Sequence, residues 1–415
     1  MSPETVVMAT FRTLDDLPRE SRVLCRLDLN SPVENGTVQD NHRFRRHAET
    51  VRELLDAGHR VALLAHQGRP GRETFVPLDQ HAEILSGHVG RRIDYVADTY
   101  GADALTAVRD LDAGEAVLLE NTRMTEDELP EADATAKAQT PFVETLAPEF
   151  DAFVNDAYST AHRSHASIVG FPRRLPAYAG RVMTAEYEAN TAITREFDGP
   201  VRMVVGGTKV EDVVGVMEAV TDRVDDFCLG GVVGELFLRA AGRPVGTDVK
   251  TELYDEQWAA NADAIRRLVA ERGDSIHLPL DLAYADEAGE RTVVTLDEIN
   301  EKTVSFADVG PATVEAYADL IDDSVAVFLK GAMGVFEEGC FAEGTVGVLE
   351  AIAATDCFSV VGGGDTARAI ELYGLDESYF SHVSIAGGAY IRALTGERLV
   401  AVEELVRDAQ EAAAD

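Results

Sequence analysis

Short apolar runs rich in Val, Leu and Ile recur along the chain, each followed by a polar or glycine-rich stretch and then by apolar positions at helical spacing. That alternation predicts parallel sheets covered by helices, because a parallel strand is buried on both faces and reads as a continuous apolar run. In the first half the expected strands are Val23–Leu29, Val61–Ala65, Ile93–Ala97, Ala116–Leu119 and Ala152–Val154. In the second half they are Val201–Val205, Asp226–Leu229, Ser275–Leu278, Val325–Leu329, Phe358–Val361 and His382–Ile385. The expected fold class is α/β, with two doubly wound, Rossmann-like parallel-sheet domains joined by a hinge helix.

The boundary is read from punctuation. Arg174–Gly180, marked by Pro172, Pro176 and Gly180, separates the halves; a helical pattern then runs from Val182 to about Phe197 and stops at Asp198-Gly199-Pro200. The expected domains are 1–181, a connector or hinge helix at 182–198, a second domain at 199–392, and a C-terminal segment at 393–415 whose residues Glu397–Asp415 read as an amphipathic acidic helix. A chain of 415 residues exceeds the size at which one core keeps growing, and 46% hydrophobic residues suffice for two.

Composition adds three expectations. The chain has no run of eighteen apolar residues, and Met1 to Asp16 lacks a basic region followed by an apolar stretch, so a cytoplasmic protein without a membrane span is expected. Cys25, Cys228, Cys340 and Cys357 form no Cys-x-x-Cys pair and read as reduced thiols. The formal net charge of −37 argues against nucleic acid or an anionic membrane as partner. Carboxylates are spread over the whole chain, and the only lysines are Lys137, Lys209, Lys250, Lys302 and Lys330. Such a surface suits high salt, where the Debye length falls to about 3 Å at 1 M and self-repulsion is screened. A halophilic cytoplasm is the expected setting.

That acidity changes how the basic residues are read. Ligands of open parallel sheets bind beyond the carboxyl ends of the strands. In the first half those ends carry Asp28 and Asn30 with Arg43 shortly after; His66 and Arg69; Asn121 and Arg123; and Asn155, Asp156, His162, Arg163 and His165. Arginine forks match phosphate and carboxylate geometry, so a cleft lined by Arg43, Arg69, Arg123 and Arg163 would hold a small anion. One such arginine alone would be an ordinary surface charge. His47, His59, His81 and His88 are read as structural.

In the second half the strand ends carry glycines: Gly206-Gly207-Thr208-Lys209, Gly230-Gly231, Gly331-Ala332-Met333-Gly334, Gly362-Gly363-Gly364-Asp365-Thr366 and Ala386-Gly387-Gly388. Each precedes a helical pattern. Glycine permits close backbone approach, and a helix N-terminus offers free N–H groups to an anion, so five such loops together suggest a nucleotide phosphate site. Lys209 could stabilise a transferring phosphoryl group. Asp365 could hold a nucleotide's magnesium, or serve as a helix cap. No G-x-x-x-x-G-K-[ST] loop, no G-x-G-x-x-G fingerprint and no G-x-S-x-G elbow is present. On the residues alone, a nucleotide-dependent kinase for a small acid and a clamp-like protein that binds a phosphorylated ligand both remain open.

The ordered motifs Arg26-Leu27-Asp28-Leu29-Asn30, His66-Gln67-Gly68-Arg69-Pro70, Glu120-Asn121-Thr122-Arg123, Asn155-Asp156-Ala157-Tyr158-Ser159-Thr160-Ala161-His162-Arg163, Gly206-Gly207-Thr208-Lys209-Val210, Gly334-Val335-Phe336-Glu337, Gly362-Gly363-Gly364-Asp365-Thr366 and Ser381-His382-Val383-Ser384 resemble the phosphoglycerate kinase family over nearly the whole chain. The resemblance implies reversible, magnesium-dependent transfer of the acyl phosphate of 1,3-bisphosphoglycerate to ADP, giving 3-phosphoglycerate and ATP in glycolysis or gluconeogenesis. It implies that Asp28, Asn30, Arg43, His66, Arg69, Arg123 and Arg163 hold the phosphoglycerate, with Arg43 and Lys209 flanking the transferring group. Gly207, Gly230, Gly231, Gly310 and Glu337 would line the nucleoside pocket; Gly363, Gly364, Asp365 and Thr366 would meet the phosphates, with Asp365 on the Mg2+. A monomer is the expected state, its C-terminal segment packing on the first domain.

Three positions depart from the family pattern. Val213 stands where relatives often carry a second lysine, Lys330-Gly331-Ala332 replaces an Asn-Gly-Pro segment, and Ile385-Ala386 opens a loop that usually begins Thr-Gly. Lys330 is the expected substitute for the missing positive charge.

Overall fold

The computed structural model describes residues 10–243, 245, 251–299 and 304–414. Residues 1–9, part of the N-terminal stretch expected to carry no leader, lie outside them, as do Lys250 and Lys302. The chain divides into two units, Met1–Glu188 with Arg398–Asp415, and Ala189–Glu397.

In chain order the first unit holds β1 (Arg22–Arg26), a short hairpin β2 (Val33–Glu34) and β3 (Thr37–Val38), α1 (His42–Asp56), β4 (Arg60–Leu64), α2 (Asp79–Val89), β5 (Ile93–Val96), α3 (Ala102–Arg109), β6 (Ala116–Leu119), α4 (Ala134–Lys137), α5 (Pro141–Leu146), β7 (Ala152–Asn155), β8 (Ala177–Ala179) and the start of α6 (Arg181–Asn190). Six strands form a parallel sheet in the order β5-β6-β4-β1-β7-β8. Val23, Leu24 and Cys25 of β1 are fully buried, as the unbroken apolar run requires. Helix α1 starts where the Asn41 side chain accepts from the Arg43 N–H at 2.9 Å, and it lays Phe44, Ala48, Val51, Leu54 and Leu55 on the sheet. Because β1 pairs with β4 on one side and β7 on the other, the loops leaving β1 and β7 diverge and open a crevice at their carboxyl ends.

The second unit continues with β9 (Val201–Val205), α7 (Val210–Ala219), β10 (Asp226–Leu229), α8 (Gly231–Ala240), α9 (Thr251–Arg272), β11 (Ile276–His277), β12 (Asp281–Ala285), β13 (Arg291–Thr295), α10 (Leu296–Ile299), β14 (Phe306–Val309), α11 (Pro311–Asp322), β15 (Ala326–Lys330), α12 (Glu343–Ala353), β16 (Phe358–Gly362), α13 (Gly364–Leu372), β17 (His382–Ser384) and α14 (Gly388–Leu394). Its parallel sheet runs β11-β10-β9-β15-β16-β17, with the same kind of switch point between β9 and β15.

The two parallel sheets match the α/β, doubly wound expectation, and four local readings are corrected. β12, β13 and β14 form an antiparallel sheet that the apolar runs did not predict. The stretch read as an inter-domain linker contains β8, an edge strand of the first sheet, because Ala177, Tyr178 and Ala179 are all buried. β1 ends at Arg26 rather than Leu29, and the helix opening at Arg181 ends at Asn190, short of Phe197.

Helix α15 (Val400–Ala414) belongs to the first unit. Asp408 accepts from the Ala177 N–H at 2.9 Å and pairs with Arg12, Glu404 pairs with Arg173, and the Ala401 N–H reaches the Ala161 carbonyl at 2.9 Å. The outer edge of β8 is thereby covered at Ala177, while Ala179 gives its N–H to the Arg12 carbonyl at 2.8 Å.

Candidate functional site

At the carboxyl end of β1 the backbone delivers Arg26, Asp28 and Asn30 in succession. Arg26 is fully buried. Its Nε donates to Ser167 Oγ at 2.8 Å and its Nη2 to His66 Nδ1 at 3.2 Å. A guanidinium only donates, so His66 carries its proton on Nε2 and offers that N–H as a donor. Burial, together with Arg26, Arg123, Arg43 and His165, holds His66 well below the ordinary imidazole range, so it is neutral at pH 7. Asp28, buried, forms an ion pair with Arg43 and accepts from the Ser159 hydroxyl and from the Asn30 N–H. Asn30 Oδ1 in turn accepts from the Gly68 N–H at 2.8 Å, tying the first loop to the second.

Arg123 lies just past β6. Its N–H is capped by the Asn121 side chain at 3.1 Å, and its guanidinium donates to the Gly68 carbonyl. Burial pushes Arg123 down to about 10, with Arg26, Arg163 and Arg69 adding repulsion and Glu128 opposing it. Burial pushes Arg26 and Arg43 to about 10 as well, countered by Glu128 and Glu186 respectively. Beneath the cluster, fully buried Glu128 accepts from Ser167 Oγ at 2.6 Å and from the Ser167 N–H at 2.8 Å, and lies 3.6 Å from His165. Arg26, Arg43, Arg69, Arg123, Arg163 and His66 thus gather at one crevice. Partly desolvated guanidinium groups repel one another there, as they do at Arg123, and a bound anion relieves that repulsion.

The second unit presents backbone. The Gly206 N–H donates to the Lys330 carbonyl at 2.9 Å, that of Gly207 to Ala332 at 2.8 Å, and that of Gly231 to Met333 at 2.9 Å, so the β9, β10 and β15 loops lock edge to edge. A Cβ on Gly206 would lie 2.2 Å from the Ala332 carbonyl oxygen. Gly331, at φ +82, would bring one within 2.5 Å of the Gly206 carbonyl oxygen. Beside these loops is a cavity of about 110 Å³ bordered by Gly207, Gly231, Leu282, Phe306, Met333 and Val335. Two buried acids also border it. Glu235 accepts from the Tyr254 hydroxyl, and Asp308, pushed up to about 6 by burial, pairs with Arg291 at 3.1 Å.

Lys209 stands at the N-cap position of α7 without a side-chain capping bond and is exposed, whereas Lys330 ends β15 and is half-buried. Burial lowers Lys330, Asp212 opposes that, Lys209 deepens it and Asp365 opposes it, which places two ammonium groups and two carboxylates together at the strand ends. Gly363, at φ +109, precedes α13; Asp365 is exposed in its first turn, and the Thr366 hydroxyl donates to the Gly362 carbonyl at 3.1 Å.

A family model for phosphoglycerate kinase matches residues 14–397. The chain belongs to the phosphoglycerate kinase family. Similar relatives include the phosphoglycerate kinases of Halorubrum lacusprofundi, 68% identical over 96% of this chain and 98% of that one, and of Haloarcula marismortui, 63% identical over 96% and 100%. Among solved structures, phosphoglycerate kinase from Pyrococcus horikoshii OT3 aligns over 97% of this chain and 100% of that one, with a TM-score of 0.90 at 33% identity. The Coxiella burnetii enzyme aligns over 96% and 100%, with a TM-score of 0.79 at 31% identity.

Within this family frame the expected substrate residues Asp28, Asn30, His66, Arg69, Arg123 and Arg163 lie in the loops beyond the first unit's strand ends, and Arg43 lies in the first turn of α1. Of the expected nucleoside residues, Gly207 and Gly231 border the cavity. Gly230 packs on Met333, Gly310 packs on Asp281, and Glu337 is exposed; none of these three borders it. Val213 is fully buried on α7, so its position offers no charge to a ligand. Arg26 and Glu128 do not stand out from sequence, since a charge inside an apolar run gives no periodic signal. Glu235 is hidden within the apolar pattern of α8 for the same reason.

Proposed function

We propose that the chain catalyses the reversible transfer of the acyl phosphate of 1,3-bisphosphoglycerate to ADP, giving 3-phosphoglycerate and ATP. The observation that carries this reading is the convergence of Arg26, Arg43, Arg123 and neutral His66 at one crevice of a chain with net charge −37. Asp28, Asn30, Arg43, His66, Arg69, Arg123 and Arg163 would grip the phosphoglycerate. Gly207, Gly230, Gly231, Gly310 and Glu337 would line the nucleoside site, and Lys209, Gly363, Gly364, Asp365 and Thr366 would meet the nucleotide phosphates.

In the ATP-consuming direction the substrate carboxylate attacks the γ-phosphorus, an acyl phosphate forms and ADP leaves. The attacking oxygen is already ionised, so no general base is needed and catalysis reduces to positioning and charge stabilisation. Arg43 and Lys209 would face the equatorial oxygens as charge moves across them. Magnesium fits this donor set, because that ion is commonly held by one or two carboxylates plus substrate phosphates, and exposed Asp365 at the start of α13 supplies such a carboxylate. Bound there with the nucleotide, it would neutralise phosphate charge.

Among the described residues no helix is long and apolar enough to cross a membrane. The acid-rich surface and the halophilic sources of similar relatives support a high-salt cytoplasm. The melting temperature should rise between low and molar KCl, and a flat response contradicts that setting. A coupled assay with 3-phosphoglycerate, ATP and Mg2+ in molar KCl tests the activity itself; no ADP formation dependent on 3-phosphoglycerate overturns the reading.

A further inference from the structure

His47 is fully enclosed in the first unit, and both of its ring nitrogens are engaged. Its Nε2 accepts from the Asp28 N–H at 3.2 Å, and its Nδ1 lies 2.8 Å from Asp156 Oδ2. A backbone N–H can only donate, so the proton sits on Nδ1 and is given to Asp156. The other Asp156 oxygen accepts from the N–H groups of Val182, at 2.8 Å, and Met183, at 3.3 Å, capping the N-terminus of α6. Gly180 makes that contact possible, since a Cβ there would lie 2.1 Å from the carboxylate.

His47 stands one turn after Arg43 on α1. Two carboxylates that act on Arg43 are Asp28, which pairs with it, and Glu186 of α6, whose charge favours the ionised guanidinium. Both are placed through the same imidazole: Asp28 by its own N–H, and Glu186 through the Asp156 cap that seats α6. We propose that His47 is a positioning residue for phosphoryl transfer, fixing from behind the two carboxylates that aim Arg43. Contacts run from Arg43 to Asp28, His47, Asp156 and α6, and the ring is completed by the charge of Glu186 on α6 acting back on Arg43. A ring of this kind holds a flexible guanidinium where a single ion pair would leave it free to swing.

The inference rests on the phosphoryl-transfer reading, and the experiment separates the two. Turnover and Michaelis constants for 3-phosphoglycerate and ATP are measured in molar KCl for wild type, His47→Leu, His47→Gln and Asp156→Asn, each alone and with Arg43→Ala. His47→Leu should lower kcat about tenfold or more while leaving the KM for ATP unchanged, and His47→Gln, which can still accept from the Asp28 N–H, should recover part of the loss. With Arg43→Ala present, neither His47 substitution should cost anything further. Equal fold-losses in both backgrounds, or folded variants with wild-type kcat, overturn the proposal. Should His47→Leu not fold, Asp156→Asn keeps the side-chain volume and an acceptor for α6, and the same non-additivity is required of it. Proton–nitrogen correlation spectra of the wild-type protein must show His47 protonated on Nδ1; an Nε2–H tautomer overturns the proposal without any variant. If wild type itself lacks the kinase activity, the functional reading fails first.

Discussion

On the proposed reading the first unit would meet its ligand with side chains, and the second with backbone. Burial holds Arg26, Arg43 and Arg123 each at about 10, Arg26 being fully enclosed. Gly206, Gly207, Gly231 and Gly331 offer close backbone approach through the absence of a Cβ, the N–H groups of the first three being given to the Lys330, Ala332 and Met333 carbonyls. Side-chain forks suit the shape of a small phosphorylated acid, whose few oxygens must each be found. Backbone loops read a polyphosphate, whose repeated oxygens need close approach more than individual recognition. On this reading an acidic chain concentrates cations at the first unit's crevice and relies on close backbone approach in the second unit's glycine loops.

This contrast can be broken most severely at Arg43. Arg43→Ala should lower kcat about a hundredfold or more, the size of effect expected for losing one group that stabilises developing charge. Near-wild-type turnover would mean that the first unit only binds. The converse test is Gly331→Ala, which adds a single methyl group at φ +82 against the Gly206 carbonyl. Strain of about 1–3 kcal/mol corresponds to at least about a fivefold loss of nucleotide affinity by calorimetry, with 3-phosphoglycerate affinity kept. Unchanged nucleotide affinity would leave the backbone loops without a binding role.

Lys330 sharpens the comparison, because with Lys209 and Asp365 it is a side chain that the second unit would add to its backbone loops. Lys330→Ala should raise the KM for ADP several-fold and leave that for 3-phosphoglycerate unaltered; an unchanged value for ADP shows that Lys209 suffices. The smallest expected effect is on pH dependence. Burial holds His81 at about 4, so between pH 6.5 and about 4 the unfolded chain binds a proton that the folded first unit refuses. Stability from this group is complete above 6.5 and is lost as pH falls, with a slope of at most about 1.4 kcal/mol per pH unit. Asp308 in the second unit, raised to about 6, has the opposite sign and favours the fold as pH drops through 6 toward 3.8. Denaturant titrations between pH 7 and 5 at constant KCl should show a shallower acid loss for His81→Gln than for wild type. Identical slopes contradict it.

The strand-end rule made much of this legible. Apolar runs located eleven of the strands closely enough to identify the residues just beyond each, so Arg43, His66, Arg123 and the glycine loops stood out by position. β8 stayed hidden because three residues between prolines and a glycine look like a linker; only docking against Phe153–Asn155 makes them a strand. β12, β13 and β14 were hidden because an antiparallel sheet with one covered face leaves only a weak alternation. Arg26 and Glu128 are partners across 102 positions of sequence, and neither has a meaning in the site until the fold brings Ser167 between them. His47 was read as structural, which its burial agrees with; what the sequence could not supply was the pair of neighbours on its two nitrogens.

The anchoring of α15 on β8 bears on the order of synthesis. Residues 189–397 can complete their sheet as soon as they are made, but the first unit, although translated earlier, must wait for residues 398–415. Until Asp408 reaches Ala177 and Arg12, a nascent chain leaves the Ala177 end of β8 as an exposed edge able to pair with a neighbouring chain, Ala179 being held by Arg12 and Thr13. Ribosome-bound intermediates and chains cut after residue 397 should therefore share one hazard, association through that edge, which the released protein has closed.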